Sequence, residues 1–441
     1  MKRLVSVVAL LLVAVMLFSA CNSKPNNESK SENTTPQVTA PEVTTPEDTT
    51  LEETTPEATT PEATTPEATT PEGTTSEGTT PESTTSEQTT PEATTPTMTT
   101  PVETTPEVTT PEATTPEETT LPEPVELNPA CEHKFTSRIV LEQVTTKEDG
   151  KIANVCGKCG GWQEEFLGAV KSLKILAIGN SFSNNALEYL PILAKELGIE
   201  EIIIGKLYVG GCTVDGHWSR AQSGADYESF QVNKTGDANW ITYATGQRSL
   251  KFALAYEDWD IITMQQGSPL SGMTSSLGNL QNLIDYVNAN KTNPNAKLYW
   301  HMTWAYSQFS THSGFANYNE DQVTMYNAIV DLSKNYIDDN DSFTGIIPAG
   351  TAVQNYRDKD INNSNIESKY ITTDGYHLQT YARMIATLTW LRTLTGLSLD
   401  DITCTSHTNV KFVKDYQLAY LKEAAEAAYL NPYEVTYIYT G

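Results

Sequence analysis

From Lys171 onward the chain alternates short, continuously apolar runs with longer stretches in which apolar residues recur every three or four positions. Leu173-Lys174-Ile175-Leu176-Ala177-Ile178 has the length and branching of a buried strand. Ala186, Leu187, Tyr189, Leu190, Ile192, Leu193 and Leu197 follow at the spacing of one helix, which Gly198 stops. Ile202, Ile203 and Ile204 open a second strand, and residues 259–264, 297–302 and 345–347 predict three more. Helices are predicted around 277–290, 321–336 and 378–395, with an alanine-rich amphipathic helix over 413–429 that packs against the sheet or, failing that, against a second copy. This alternation predicts an α/β fold, a three-layer α/β/α arrangement around a parallel sheet. Ligands in such sheets gather at the carboxyl ends of the strands.

The first 130 residues carry none of this periodicity. Lys2 and Arg3 precede an apolar run from Leu4 to Phe18 and then Ser19-Ala20-Cys21, the layout of a secretory signal over 1–20. Residues 21–130 repeat Thr-Thr-Pro-Glu-Ala in five-residue steps, and 18 of the 23 prolines fall between Pro25 and Pro129. Pro fixes the backbone while Thr and Glu stay solvated, so this stretch predicts a disordered, extended linker. The net charge of −28 is concentrated there: 22 acids against two lysines leave −20 in the linker and about −10 after residue 130. No basic surface exists for nucleic acid or anionic lipid headgroups. The Ser-Ala-Cys ending resembles the lipobox of bacterial lipoproteins, although Phe18 stands where that family prefers Leu. The resemblance implies a lipid on Cys21 and a protein anchored at the extracellular face of a bacterial membrane; an ordinary secretory signal cut nearby would release it.

Residues 131–168 bring a different chemistry. Cys131-Glu132-His133 is followed, beyond a turn at Asp149-Gly150, by Cys156-Gly157-Lys158-Cys159-Gly160. Cys-x-x-Cys followed by Gly makes a tight knuckle that aims two sulfurs at one ion, and Cys131 and His133 complete a tetrahedral set. The segment resembles the small zinc ribbons of bacterial surface proteins, which implies a structural zinc on Cys131, His133, Cys156 and Cys159. A disulfide between two of these cysteines is the alternative outside a cell. Cys212 and Cys404 are left over.

The remaining domain, 170–441, carries candidate catalytic residues at both ends. The first strand runs into Gly179-Asn180-Ser181, a serine at a strand end directly before a helix, where free backbone N–H groups favour developing negative charge. Taken alone, Asn-Ser before a helix is also ordinary capping. Asp374-Gly375-Tyr376-His377 precedes the helix predicted at 378–395, and its two-residue gap lets the carboxylate fold back onto the imidazole and leave Nε2 free for a hydroxyl. An Asp capping the next helix beside a surface His is the plainer reading of that tetrapeptide.

Together the two ends resemble the SGNH (GDSL-like) hydrolases over residues 170–400. The resemblance implies a flavodoxin-like sheet, a Ser181–His377–Asp374 triad and serine-ester hydrolysis without a catalytic cofactor. Asn180 stands where many members have Asp. The family's oxyanion hole maps onto the Ser181 N–H, the Gly211 N–H after the second strand, and a side-chain amide after the third strand. The family usually places Asn there; this chain has Gln265-Gln266-Gly267, which resembles the carbohydrate acetylesterase branches and implies Gln266 as the donor, with Gln265 as its rival. A Gln satisfying loop backbone is the alternative.

Substrate identity rests on less. Trp218, Trp240, Trp304 and Tyr306 suit stacking on sugar rings, or equally core and rim packing. His217 and His301 are candidates to line the pocket. A tethered esterase resembling carbohydrate acetylesterases points to O-acetyl groups on an external polysaccharide. The alternatives are a lipase or thioesterase, for which no apolar lid segment is evident, and an inactive surface protein that binds glycan or protein.

Overall fold

The computed structural model describes residues 125–358, 371–404, 413, 415–436 and 438, all within one compact unit, Thr109–Gly441. The signal-like segment, Cys21 and the Thr-Pro repeats up to residue 124 lie outside the described residues.

The apolar run before Asn180 forms β4 (Ser172–Gly179), buried from Ile175 onward on both of its faces. Continuous burial of this kind requires cover above and below, which an alternating strand would not need. β4 pairs in parallel with β5 (Glu201–Tyr208) on one side and β8 (Ile261–Met264) on the other. β9 (Lys297–His301) and β10 (Gly345–Ile347) continue the parallel set beyond β8. Counted along the chain, the five parallel strands stand in the order 2-1-3-4-5, so the direction of winding reverses beside β4.

Helices pack in two groups. α1 (Ser181–Leu187), α2 (Leu190–Glu196), α7 (Ala349–Asp358), α8 (Arg383–Thr395) and α9 (Asp415–Leu430) contact one another, as do α3 (Val214–Ser223), α4 (Leu250–Leu254) and α5 (Leu280–Asn290). α6 (Gln322–Leu332) meets α7. The result is a mixed α/β structure with a mostly parallel central sheet. Leu421, Ala424, Ala425 and Ala428 of α9 are buried, and the small alanines let it lie close to α7 and α8. Among the described residues no helix is long and apolar enough to cross a membrane.

Three local features differ from the sequence expectation. The single helix expected between Ala186 and Leu197 is two, because Pro191 lacks an N–H and its ring would strike the carbonyl of Leu187; in the first turn of α2 it does no harm. Two strands, β6 (Ser229–Asn233) and β7 (Ile241–Thr242), extend the sheet past β5 in antiparallel sense. β7 is too short for periodicity to register. The helix expected from Leu378 starts at Arg383, because the backbone before it is held otherwise: Leu378 bridges Thr372, and Gln379 N donates to Ile371 O at 2.7 Å.

The Cys-rich segment is a meander of β1 (Phe135–Glu142), β2 (Gly150–Cys156) and β3 (Trp162–Leu167), and it is docked on the rest of the unit. Arg138 donates to Tyr429 O at 2.8 Å, Gln143 to Gly396 O at 2.7 Å, and Lys134 pairs with Asp339 at 3.0 Å. A Cβ on Gly396 would lie 2.8 Å from Leu167 Cδ1 and 2.9 Å from Val144 Cγ1, so the glycine permits this approach. The meander shares a cavity wall with Lys297 and Gly345, the first residues of β9 and β10. That is the amino end of the parallel sheet, opposite the end at which Ser181 stands.

Candidate active site

β4 delivers the chain to Asn180, which leaves the strand at φ −136°, ψ −156° and caps α1 by accepting the Phe182 N–H at 3.0 Å. Ser181 is therefore the first residue of α1, and its hydroxyl is free of capping duty. Gly179 allows the tight exit: a Cβ there would fall 2.2 Å from Ser183 Oγ and 3.0 Å from Gln265 Oε1.

Asp374 and His377 arrive from the loop before α8. The Asp374 carboxylate accepts the His377 N–H at 2.8 Å and the Tyr376 N–H at 3.2 Å through one oxygen, and holds His377 Nδ1 at 2.6 Å with the other. His377 Nε2 lies 2.8 Å from Ser181 Oγ. Gly375, at φ +93°, makes the reversal; a Cβ there would also press within 2.8 Å of Ser310 Cα. Partial burial pushes the Asp374 carboxyl up, but the His377 and Tyr376 N–H groups and the imidazole outweigh it and hold the carboxyl below its ordinary range. It is anionic throughout the neutral range. The arrangement can move a proton from a hydroxyl to an imidazole that is oriented by a carboxylate.

Asn185, which sequence reasoning missed, and Trp304, which it offered for stacking or packing, hold this loop in place. Asn185 accepts the Leu378 N–H at 3.0 Å, and Trp304 donates from its indole to Tyr376 O at 2.7 Å. Asn185 stands four residues after Ser181, the helical spacing that puts both on one face of α1; that spacing is the signal the sequence offered.

The expected oxyanion donors are only partly assembled. Gly211, at φ +60°, lies in the 209–213 loop beside the β4 exit, and its N–H has no partner among the described residues. Gln266 does not face Ser181. Its amide donates to Ser276 O at 3.1 Å and Ser276 Oγ at 2.9 Å, and its Oε1 accepts the N–H groups of Val214 at 2.9 Å and Gly267 at 2.8 Å. It satisfies loop backbone, which four saturated bonds leave it no freedom to abandon. Gly267 serves the same junction, since a Cβ there would meet Thr213 Cγ2 at 2.9 Å and Gly211 O at 3.0 Å.

Gln265 is committed as well. His301 Nδ1 lies 2.9 Å from Gln265 Oε1, Gln265 Nε2 donates to Asn180 Oδ1 at 2.6 Å, and Asn180 Nδ2 donates to Cys212 O at 3.1 Å. Burial drives His301 down to about 3, so it is neutral, and one buried chain of hydrogen bonds runs from β9 through the helix cap to the Gly211 loop. Gln265→Leu leaves the His301 N–H without its partner and is expected to cost about 1–3 kcal/mol in urea unfolding. A change below about 0.5 kcal/mol would remove the chain's structural role.

The expected aromatic platform divides. Trp304 and Tyr306 are fully buried, and Trp304 stacks on Phe182 at 4.3 Å, so both belong to the support of the loops. Trp218 and Trp240 are half-buried. His217 is buried against the Tyr227 hydroxyl at 3.0 Å and is packing rather than pocket lining.

At the other end of the sheet, one ligand atom each from Cys131, His133, Cys156 and Cys159 lies within 4.8 Å of the others, so the cluster can hold a metal ion. Cys131 Sγ and Cys156 Sγ are 4.0 Å apart, and Cys159 Sγ is 3.6 Å from His133 Nδ1. These cysteines, with Cys212 and Cys404, are free rather than disulfide-bonded. Although burial pushes the Cys156 thiol up, hydrogen bonds from His133 and from nearby backbone N–H groups hold it well below the usual thiol range. Three sulfurs and an imidazole nitrogen converging on one point fit a tetrahedral metal.

Comparison with known proteins places the sheet domain but not its chemistry. Residues 174–428 match a domain of unknown function, DUF4886. Among solved structures the chain is similar to a DUF4886 family protein from Bacteroides uniformis ATCC 8492, with 33% identity and a TM-score of 0.54, over 60% of this chain and 97% of that one. No curated protein matches.

Proposed function

The chain belongs to the DUF4886 family, and we propose that it is an SGNH-type serine ester hydrolase that removes O-acetyl groups from polysaccharide. The observation that carries this is the hydrogen-bonded line from Asp374 through His377 to Ser181 Oγ, at 2.6 and 2.8 Å. The 2-1-3-4-5 order, with Ser181 at the switch beside its first strand, supports the three-layer fold that such enzymes use.

In this reading His377 takes the Ser181 proton as Oγ attacks the ester carbonyl, and then returns it to the leaving sugar hydroxyl. Water, deprotonated by His377, attacks the acyl-serine, and His377 passes that proton to Ser181 Oγ as acetate leaves. Asp374 fixes the tautomer and stabilises the imidazolium. The Ser181 and Gly211 N–H groups hold the oxyanion, while Gln266 shapes the loop instead of donating. Cys21 carries the lipid, the Thr-Pro repeats are the tether, and the four-donor cluster holds a structural zinc.

The full chain should release acetate from acetylated polysaccharides faster than it cleaves long-chain lipid esters or acyl thioesters. Acetate quantified across such a panel tests the class. Preference for the lipid or thioester would replace the substrate assignment, and inertness on every ester would leave a binding protein.

A further inference from the structure

Beside α1 lies a cavity of about 430 Å³ that the chemistry above does not use. Its walls include Asn184, Glu188, Lys206, Trp240 and Arg383. Three observations mark it as a built site. The Lys206 ammonium, carried inward on β5, has no hydrogen bond or ion pair among the described residues; it rests 4.0 Å from the centre of the Trp240 ring. Glu188, the carboxylate whose charge reaches it, is already paired with the Arg383 guanidinium. Asn184, one turn after Ser181, lines the same wall. An ammonium with no anionic partner in such a recess is costly unless something else completes it.

The cavity is also tied to the candidate active site. Asn184 on α1 and Glu188 at its C-cap follow Ser181 by three and seven residues, so they lie along the same helix face, one and two turns from the nucleophile. Asn185, also in the wall, bonds the Leu378 N–H, and Arg383 Nε donates to Leu378 O at 3.0 Å. Leu378 immediately follows His377. Two helical turns rise about 11 Å, the scale of one to two sugar residues along a glycan.

We infer that this cavity is a subsite for a carboxylate-bearing sugar, a uronic acid unit, adjoining the acylated residue of the substrate. The sugar carboxylate pairs with Lys206, and the indole of Trp240 with Ile192 faces the ring's C–H groups. Local charge agrees: Lys206 and Arg383 against Glu188 leave one positive charge in a domain that is otherwise acidic. Burial pushes the Lys206 ammonium down, and Glu188 raises it again, to about 8, so it is charged at neutral pH.

The inference rests on the esterase reading for its substrate, and the test separates the two. Acetate release by the full chain is followed on O-acetylated polygalacturonate and on O-acetylated glucomannan, which is neutral. Lys206→Met should raise KM for the acidic polymer relative to the neutral one by about tenfold or more, as should Asn184→Asp, which sets a carboxylate against the ligand. A ratio unchanged within twofold in both variants overturns the subsite. If the protein hydrolyses neither polymer, calorimetric titration of deacetylated oligogalacturonate into the full chain decides. Binding weakened about tenfold by Lys206→Met upholds the site; no binding, or binding that Lys206→Met leaves unchanged, overturns it.

Discussion

Ser181→Ala should lower turnover of a small aryl acetate by about 10³- to 10⁶-fold while leaving the folded protein within about 0.5 kcal/mol of its parent. The two halves of this expectation come from one detail of the turn. Asn180, not Ser181, caps α1, and Asn180 is the residue bonded to Cys212 and Gln265. Ser181 Oγ has one bond, to His377, and the residue is half-buried, so its removal opens no cavity and orphans no buried group. Asn180→Ala should do the opposite to stability, by losing a cap and two tertiary bonds. A serine that served capping would show the reverse ranking. His377→Ala should cost about as much activity as Ser181→Ala, and the double variant little more, because the pair acts as a unit. Aryl acetate turnover within tenfold of the parent in Ser181→Ala, measured beside a urea unfolding curve, would sink the nucleophile assignment.

What could be read beforehand divides by the range of the interactions involved. β4 and the helix after it announce themselves through consecutive residues, and Asp374 and His377 find one another within a single turn; both sets needed only local geometry. Nothing in the sequence said that the two would meet, beyond the family resemblance. Pro191 is legible too, since it lacks an N–H, and it splits the helix that apolar spacing alone draws as one. Gln266 failed for a different reason. A primary amide donates wherever its neighbours accept, and the acceptors are on Ser276, brought in by the segment leading to α5. The direction of a Gln side chain is a tertiary property. So is the fate of the large aromatics: Trp304 is consumed by Phe182 and the Tyr376 carbonyl, while Trp240 stays half-buried beside Lys206, and no periodicity separates these cases.

The second large effect is expected at the opposite end of the sheet. A tetrahedral zinc with bonds of about 2.3 Å to sulfur sets its ligands about 3.8 Å apart. Cys131 and Cys156 already stand 4.0 Å apart, and His133 and Cys159 3.6 Å. The ribbon has little else at that tip: β1 is only partly buried along its length, and Lys134–Asp339 is an exposed pair of small worth. A metal bound there would fix a fold that a short meander cannot fix alone. Free zinc at a hundredfold excess over its dissociation constant contributes about 2.7 kcal/mol. Chelation, or Cys156→Ser with Cys159→Ser, should lower the melting temperature by about 3–5 °C. Elemental analysis of the parent should find one zinc per chain and none in the double variant. Hydrolysis at Ser181 should persist at room temperature, because the ribbon touches Tyr429, Gly396 and Asp339 at the amino end of the sheet and no residue of the triad. A metal-free parent with a Cys131–Cys156 disulfide, stable to chelator and sensitive to reductant, would replace zinc with a covalent staple. Activity that vanished with the metal before the fold loosened would place the ion in the chemistry, against the separation of the two ends.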